Sequence, residues 1–420
     1  MAQKEISNHT YLLIILSLLL TGMIFTGLAD SGISATAKGF LKIQTHPARL
    51  INDYIEIAGT GGALLNGALV GAIGLLLILV SRIPLSGPTF AAVLTMAGFG
   101  LFGKTPLNIL PIFFGVYLSA RLVGKGLRDY LMIALFGTAL APLVSTLAWE
   151  LGLPPLAAVL AGTAGGIVTG FFLPAIAVSM LHLHQGYNLY NMGLTCGFFG
   201  LFAAALLRGF GHEYAGAFYW FEGTNPYLSL LVPAMSLLLI AAGIVRDGRK
   251  VWKALREILT IPGRLPSDFI DLVSAGGTLL NSGLIGLAGS LYIYLIGAPF
   301  NGSVIGGLLT IMGFGAFGTH ISNAWPVVTG VILATLATGN SLNSPGPVLA
   351  AIFSTTLAPL AGEFGIPAGV AAGIIHLLMV LQTGAWHGGM NLYNNGFAGG
   401  LTASLIIAVI QWYRTNKEEF

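Results

Sequence analysis

Two pairs of carboxylates are the first groups in this sequence whose type and spacing could do chemistry. Asp53 precedes Glu56 by three residues, and Asp268 precedes Asp271 by the same interval. Residues three apart share one face of a helix. A charged group at membrane depth costs about 3 kcal/mol, and it commonly binds an ion or a proton. These four carboxylates are therefore the predicted ion-coupling residues; the alternative is that they lie at helix entrances, in water or capping an N-terminus.

Asparagines and histidines form a second candidate set. Asn66 and Asn281 lie inside apolar runs, and His184–Gly193 (HQGYNLYNMG) and His387–Gly396 (HGGMNLYNNG) carry further amides. A buried amide costs a few kcal/mol unless it is hydrogen-bonded. Along a pore it can replace the water around a small polar solute; the alternatives are a bond between helices or to the backbone of a broken helix. The predicted pathway residues are Asn66, Asn281, His184, Asn188, Asn191, His387, Asn391 and Asn394.

The sequence contains no motif typical of a metal site or of an enzyme. The histidines could relay protons, but no H-E-x-x-H string or compact His/Asp cluster is present, so neither a metal nor another cofactor is predicted. The single cysteine, Cys196, rules out an intrachain disulfide. A G-x-S-x-G elbow and a zincin motif are also missing, and the sequence therefore predicts a protein that is not an enzyme.

Composition sets the environment in which these groups act. Of the 420 residues, 55% are hydrophobic and 8% are charged, whereas a soluble protein carries about 25% charged residues. Apolar stretches of roughly 20 residues, each long enough to cross a bilayer, recur along the chain. The sequence therefore predicts an all-α, polytopic membrane protein, and it excludes a soluble enzyme and a nucleic-acid binder.

The chain also contains two similar halves. The string DYIEIAGTGGALLNGALVG from Asp53 aligns with DFIDLVSAGGTLLNSGLIG from Asp268 at a shift of 215 positions. At the same shift GFGLFG (98–103) aligns with GFGAFG (313–318). Glu150 and Glu363, each shortly before a Gly-x-Pro string, also correspond. Apolar composition alone would not align acids, asparagines, prolines and glycines, so we predict an internal duplication.

This duplication divides the chain into five parts. Residues 1–44 hold a leading transmembrane helix, interpreted as retained because no cleavage site is evident, and a basic loop. Residues 45–208 are membrane repeat one and 261–412 are membrane repeat two. Between them, 209–260 form a connector with one transmembrane helix and a basic loop that should be cytoplasmic. Residues 413–420 are a tail.

The number of spans depends on two short segments, 85–103 and 299–318. Both begin near proline and end in glycine-rich turns. If both segments cross the membrane, there are about 14 transmembrane helices and the two copies are inverted. If both are re-entrant, there are about 12 transmembrane helices and the copies are parallel. Irregular backbone at membrane depth occurs only where protein or a water-filled cavity satisfies it. We favour inverted copies, which are frequent among transporters. Phe99, Phe102, Phe314 and Phe317 in the glycine-rich strings are candidates to narrow a passage.

The sequence resembles a bacterial family of multi-pass membrane proteins defined only as a domain of unknown function. The resemblance rests on the paired LLN-x-x-x-x-G, GFGxFG and H-x-G-x-NLYN-x-G strings and covers nearly the whole chain. It implies no activity. A local likeness to urea channels rests on Leu64–Gly71 and Leu279–Gly286, where Asn66 and Asn281 match the asparagine of that family and leucine replaces its tyrosine. That likeness implies passage of a small neutral solute.

Together these features predict a channel or transporter in the bacterial inner membrane, with a pathway for a small polar solute between the two repeats. One alternative is a secondary transporter coupled to Na⁺ or H⁺ through the paired carboxylates. Another is a membrane enzyme or scaffold without transport. The expected partners are the lipid bilayer and a small polar solute or ion, not nucleic acid, and a homo-oligomer is left open.

Overall fold

The computed structural model describes residues 6–212 and 218–417, and the described chain is built from helices. The first half consists of α1 (Asn8–Gln44), α2 (Tyr54–Val80), α3 (Gly87–Phe99), α4 (Pro106–Leu122), α5 (Leu131–Gly137), α6 (Ala141–Trp149), α7 (Pro155–His184) and α8 (Asn191–Gly209). The second half consists of α9 (Pro226–Asp247), α10 (Val251–Ile258), α11 (Phe269–Leu272), α12 (Ala275–Leu295), α13 (Gly302–Phe314), α14 (Ile321–Ala337), α15 (Pro345–Phe353), α16 (Ala358–Phe364), α17 (Ile366–Trp386) and α18 (Asn394–Lys417).

Within the described residues, ten helical segments are long and apolar enough to cross a membrane. Four shorter apolar helices, α3, α4, α13 and α14, accompany them. The protein is therefore a multi-pass, all-α membrane protein, as its composition predicts. The segments singled out as short form α3 and α13, of 13 residues each. At 1.5 Å per residue such a helix is about 20 Å long, less than the roughly 30 Å of a hydrocarbon core.

Each half begins with a kinked helix, a correspondence that the sequence analysis missed. Helix α1 packs against α2, and α9 packs against α12. Gly32 inside α1 has φ 73°, and Gly248, between α9 and α10, has φ 56°. Left-handed backbone of this kind is readily available only to glycine. The leading helix and the connector helix thus hold corresponding places in the two halves.

Two sets of hydrogen bonds mark the two ends of the bundle. At the end called here the Arg246 end, the Arg246 guanidinium donates to the Asn8 side chain, and the Leu85 N–H donates to His9. At the opposite end, called here the Tyr219 end, the Asp53 N–H donates to the Tyr219 carbonyl.

Corresponding loops of the two halves lie at opposite ends. After α7, Gln185 accepts a hydrogen bond from Arg264 near the Arg246 end. After α17, Gly389 accepts one from the Leu50 N–H near the Tyr219 end. This placement is the one expected for inverted copies, and the inverted duplication itself stays a prediction.

Candidate functional site: a cavity between two short helices

The two short helices α3 and α13 pack against each other at the centre of the bundle in antiparallel directions. Gly98 faces Gly306, and a Cβ atom added to either glycine would lie 2.5 Å from the carbonyl oxygen of the other. Nearer the other end of the pair, Gly313 packs on Ala91. Small residues allow this close approach of two backbones. The helices, one from each half, therefore form the structural centre around which the candidate site is built.

Asp53 and Asp268 cap these short helices from the opposite half. The Asp53 carboxylate caps its own α2 at the Ile55 N–H, 2.9 Å away, and accepts from Gly302 at the start of α13 and from the Phe221 N–H. The Asp268 carboxylate accepts from Ile270 and from Gly87 at the start of α3, each at 3.0 Å. Helix N-termini carry a partial positive charge that favours such anions.

The predicted ion-coupling pairs are divided between two environments. Asp53 is fully buried and Asp268 is half-buried, whereas Glu56 and Asp271 are exposed. This placement favours helix capping, the alternative given for these residues, over a shared cation site. Ion coupling through them stays an untested prediction.

Asn66 and Asn281 hold the glycine-rich turns that follow α3 and α13. The Asn66 amide donates to the carbonyls of Gly100 and Lys104 at 2.6 and 2.8 Å, and its oxygen accepts from Gln44. The Asn281 amide donates in the same way to the carbonyls of Gly315 and Thr319, at 2.7 and 2.9 Å. These carbonyls lie where the short helices stop and leave acceptors free. The two asparagines therefore donate hydrogen bonds to backbone carbonyls that have no helical partner where α3 and α13 end.

Replacing Asn66 with leucine should destabilise the protein more than the same change at Asn281. Each change leaves two buried carbonyls without a donor, at a cost of about 2–4 kcal/mol. Asn66 additionally bonds Gln44, whereas the Asn281 oxygen has no partner among the described residues. Thermal unfolding in detergent would measure the difference. Altered solute flux with unchanged stability would instead support a pore-lining role.

The histidine motifs form two further buried clusters. The Nδ1 atom of His184 accepts the Asn188 backbone N–H, which leaves the proton on Nε2, 2.9 Å from the Asn191 oxygen. His387 repeats this arrangement with Asn391 and Asn394. Each imidazole is thus held as one neutral tautomer.

The asparagines of these clusters also join the halves. The Asn188 amide donates to the Gly396 carbonyl at 3.1 Å, and the Asn391 amide donates to the Gly193 carbonyl at 3.2 Å. Of the eight predicted pathway residues, Asn191 lines the central cavity described next, and the other seven do not.

A cavity of about 160 Å³ lies beside the α3–α13 pair. Its wall contains aromatic and hydroxyl side chains that correspond between the halves: Thr95 and Thr310, Phe99 and Phe314, Phe136 and Phe353, and Tyr190 and Tyr393. Three of the four phenylalanines proposed to narrow a passage, Phe99, Phe314 and Phe317, are among its lining residues. The cavity is apolar with a few hydroxyl and amide groups, a composition typical of small-molecule sites.

The cavity extends toward the Arg246 end. Phe317 and Leu265 line it on this side. A neighbouring depression, with both Arg128 and Asp129 on its wall, shares Pro88, Met132 and Ile133 with the cavity.

The corresponding positions toward the Tyr219 end are closed. Phe102, which corresponds to Phe317, is 1% exposed, and Ser303, which corresponds to Pro88, is 0% exposed. Phe317 and Pro88 are partly exposed. Access to the cavity is therefore different at the two ends, and we call the Arg246 end the open end and the Tyr219 end the closed end.

An ion pair lies at the closed end. The Arg49 guanidinium contacts the Glu150 carboxylate, and Arg49 is 6% exposed. Burial raises the pKa of Glu150, and the adjacent Arg49 opposes that rise.

At the open end the corresponding residues are both exposed. The Arg264 guanidinium packs on the Tyr187 ring at 4.5 Å and forms no ion pair with Glu363.

A buried lysine next to the cavity is the main residue that the sequence analysis did not identify. Lys104 is 0% exposed and follows the GFGLFG string. In the second copy the corresponding residue is Thr319. The sequence signal was available in this mismatch, because a charged residue stands in an otherwise matching apolar segment. Among the described residues, no three His, Cys, Asp or Glu side chains converge on a point where a metal could bind.

The fold defines a multi-pass membrane protein with an internal cavity. The model of a protein family described as "Protein of unknown function (DUF1576)" matches residues 33–209 and 248–412. The chain belongs to this family, which confirms the resemblance to a family of unknown function. Nothing among curated proteins or solved structures matches the chain.

Proposed function

We propose that this protein transports a small polar solute across a membrane by exposing the central cavity to one side at a time. The observation that carries the proposal is the difference between the two ends. The cavity wall is built from corresponding residues of both halves, yet Phe317 lines it toward one end while Phe102 is buried toward the other.

The broken helices support this proposal. Secondary transporters commonly place their sites beside discontinuous helices where two repeats meet. Here α3 and α13 stop inside the bundle, and Thr95 and Thr310 on these helices offer hydroxyl groups to the cavity. At about 160 Å³ the cavity is smaller than the roughly 300–1,000 Å³ of sites for drug-sized ligands. The solute is correspondingly small.

The closed end favours a carrier over an open channel. A channel in its conducting state is accessible from both sides, whereas here Phe102 and Ser303 are buried toward one end, where the Arg49–Glu150 pair also lies. The basic run from Arg246 to Arg264 lies at the opposite, open end, and basic loops favour the cytoplasm. We therefore assign this conformation as open to the cytoplasm, in the bacterial inner membrane proposed from the sequence.

The described residues favour an ion-coupled transporter, a membrane enzyme or a scaffold less than they favour an uncoupled carrier. Coupling to Na⁺ or H⁺ through Asp53 or Asp268 would compete with their hydrogen bonds to helix N-termini. For a membrane enzyme or a scaffold, no arrangement among the described side chains offers a specific argument.

Cysteine labelling at two corresponding positions tests the proposal. In a Cys196→Ser background, Phe317→Cys and Phe102→Cys place one thiol on the open side and one on the closed side. With membrane-impermeant maleimide, position 317 should label from the Arg246 end. Position 102 should label more slowly and from the Tyr219 end, because it becomes accessible when the conformation reverses. Labelling right-side-out and inside-out vesicles separately would show from which end of the protein each position reacts.

The controls distinguish a carrier from its alternatives. Equal labelling of position 102 from both ends would indicate a channel. If neither position labels while an exposed control such as Leu122→Cys does, the cavity is closed to water and the transport proposal fails.

A further inference from the structure

The ammonium group of Lys104 lies behind the wall of the cavity and has no hydrogen bond to any described residue. Its Nζ atom is 5.3 Å from the centre of the Phe99 ring and 5.2 Å from that of Tyr393, and both rings line the cavity. A cation over aromatic faces is attracted by their electron density. This attraction is weaker than the pairing with a carboxylate that buried charges normally require.

The fold does not require the positive charge. The backbone N–H of Lys104 closes its turn on the Phe99 carbonyl, and the Asn66 amide binds the Lys104 carbonyl. Thr319 forms the corresponding bonds with Phe314 and Asn281 in the second half. A neutral residue thus makes the same turn within the same chain. An intramembrane lysine that the backbone does not need is a candidate for a functional role.

The surroundings of Lys104 favour a negatively charged ligand. Among the described residues that line the cavity there is no carboxylate, and the titratable side chain that interacts with the ammonium group is the buried Cys196 thiol. The hydroxyls of Tyr190 and Tyr393 also lack well-formed hydrogen bonds among the described residues. One cation and two O–H donors therefore border a cavity without an acidic partner, and a bound anion would supply the missing acceptor.

We propose that the transported solute is a small anion, such as a short-chain carboxylate or sulfonate, and that Lys104 supplies its counter-charge. This inference rests on the proposed transport function and specifies its substrate class. It differs from the neutral solute implied by the likeness to urea channels. Phe99 and Tyr393 separate the ammonium group from the cavity, and these side chains shift to bring the anion within reach of Lys104.

Matched pairs of solutes test the charge directly. Methanesulfonate and dimethyl sulfone have similar shapes and differ by one charge, and formate and formamide form a second pair. Proteoliposomes with K⁺ and valinomycin, which balance the charge, would report flux by light scattering. The wild-type protein should move each anion faster than its neutral partner. Lys104→Thr, which copies Thr319, should reduce anion flux by roughly 10- to 100-fold.

Binding provides a second measurement. In detergent, methanesulfonate should raise the unfolding temperature of the wild-type protein but not that of Lys104→Thr. Lys104→Met serves as an apolar control of similar length. Both variants should unfold no more readily than the wild type without ligand, because the turn does not use the ammonium group.

Failure of the inference can be distinguished from failure of the transport proposal. Faster movement of dimethyl sulfone and formamide, unaffected by Lys104→Thr, would overturn the anion assignment while transport stands. If no solute moves and none stabilises the protein, the anion assignment is also overturned. The transport proposal then falls only if positions 317 and 102 both fail to label while the exposed control reacts.

Discussion

Replacing Asp53 with alanine is expected to lower the free energy of unfolding by about 4 kcal/mol, based on hydrogen bonds to charged groups. The carboxylate accepts three backbone N–H groups, from Ile55, Gly302 and Phe221, and is fully buried. Without it, the starts of α2 and α13 lose a shared cap. The yield of monodisperse protein in detergent and its unfolding temperature would both fall.

Two comparisons make this prediction specific. Asp268→Ala should cost less, because that carboxylate is half-buried and binds two N–H groups, from Gly87 and Ile270. Asp53→Asn should lower the free energy of unfolding by less than Asp53→Ala does. One Asp53 oxygen accepts two of the three bonds, which an amide oxygen can preserve, whereas the amide nitrogen would face the Phe221 N–H.

The opposite outcome would favour ion coupling. If Asp53→Ala and Asp53→Asn both fold as the wild type does, capping is not the main role of this carboxylate. If these variants also lose a Na⁺- or H⁺-dependent component of flux, the carboxylates act as proposed for a coupled transporter. The same flux measurement on Glu56→Gln is a useful control, because Glu56 is exposed.

The general fold could be predicted from the sequence because long apolar runs and few charges leave few alternatives. The short helices were also foreseeable, since proline begins and glycine ends each segment. The correspondence of α1 with α9 could not be derived by alignment alone. These helices are related by their packing on α2 and α12 and by kinks at Gly32 and Gly248, which only the three-dimensional contacts make evident.

The candidate site was less predictable than the fold. Asn66 and Asn281 stand out in sequence as amides in apolar runs, but sequence does not specify that their partners are the carbonyls ending α3 and α13. Attention to residues shared by the two halves also directed the prediction away from Lys104. The shared residues build the common framework, whereas the differences, including Lys104 against Thr319, distinguish one half from the other.

Removing the charge of Arg49 should shift the protein toward the conformation open at the Tyr219 end. Arg49 contacts Glu150 at the closed end, and its Nε also donates to the Thr146 hydroxyl at 3.4 Å. Loss of a fully buried ion-pair partner costs about 3–5 kcal/mol. Because the Glu150 side chain is 21% exposed, we expect about 2 kcal/mol here, or roughly a 30-fold change in the conformational ratio. The rate of maleimide labelling at Phe102→Cys, compared with and without Arg49→Gln, would measure this change in the conformational ratio.

The second half of the chain provides the matched control. Arg264→Gln and Glu363→Gln remove corresponding charges that are exposed and unpaired with each other, so they should leave labelling at position 102 nearly unchanged. A double-mutant cycle of Arg49→Gln and Glu150→Gln should show that the second change adds little, since the first already breaks the contact. If the two changes are additive, the residues act independently. If Arg49→Gln unfolds the protein without increasing labelling, the pair stabilises the fold and does not control access.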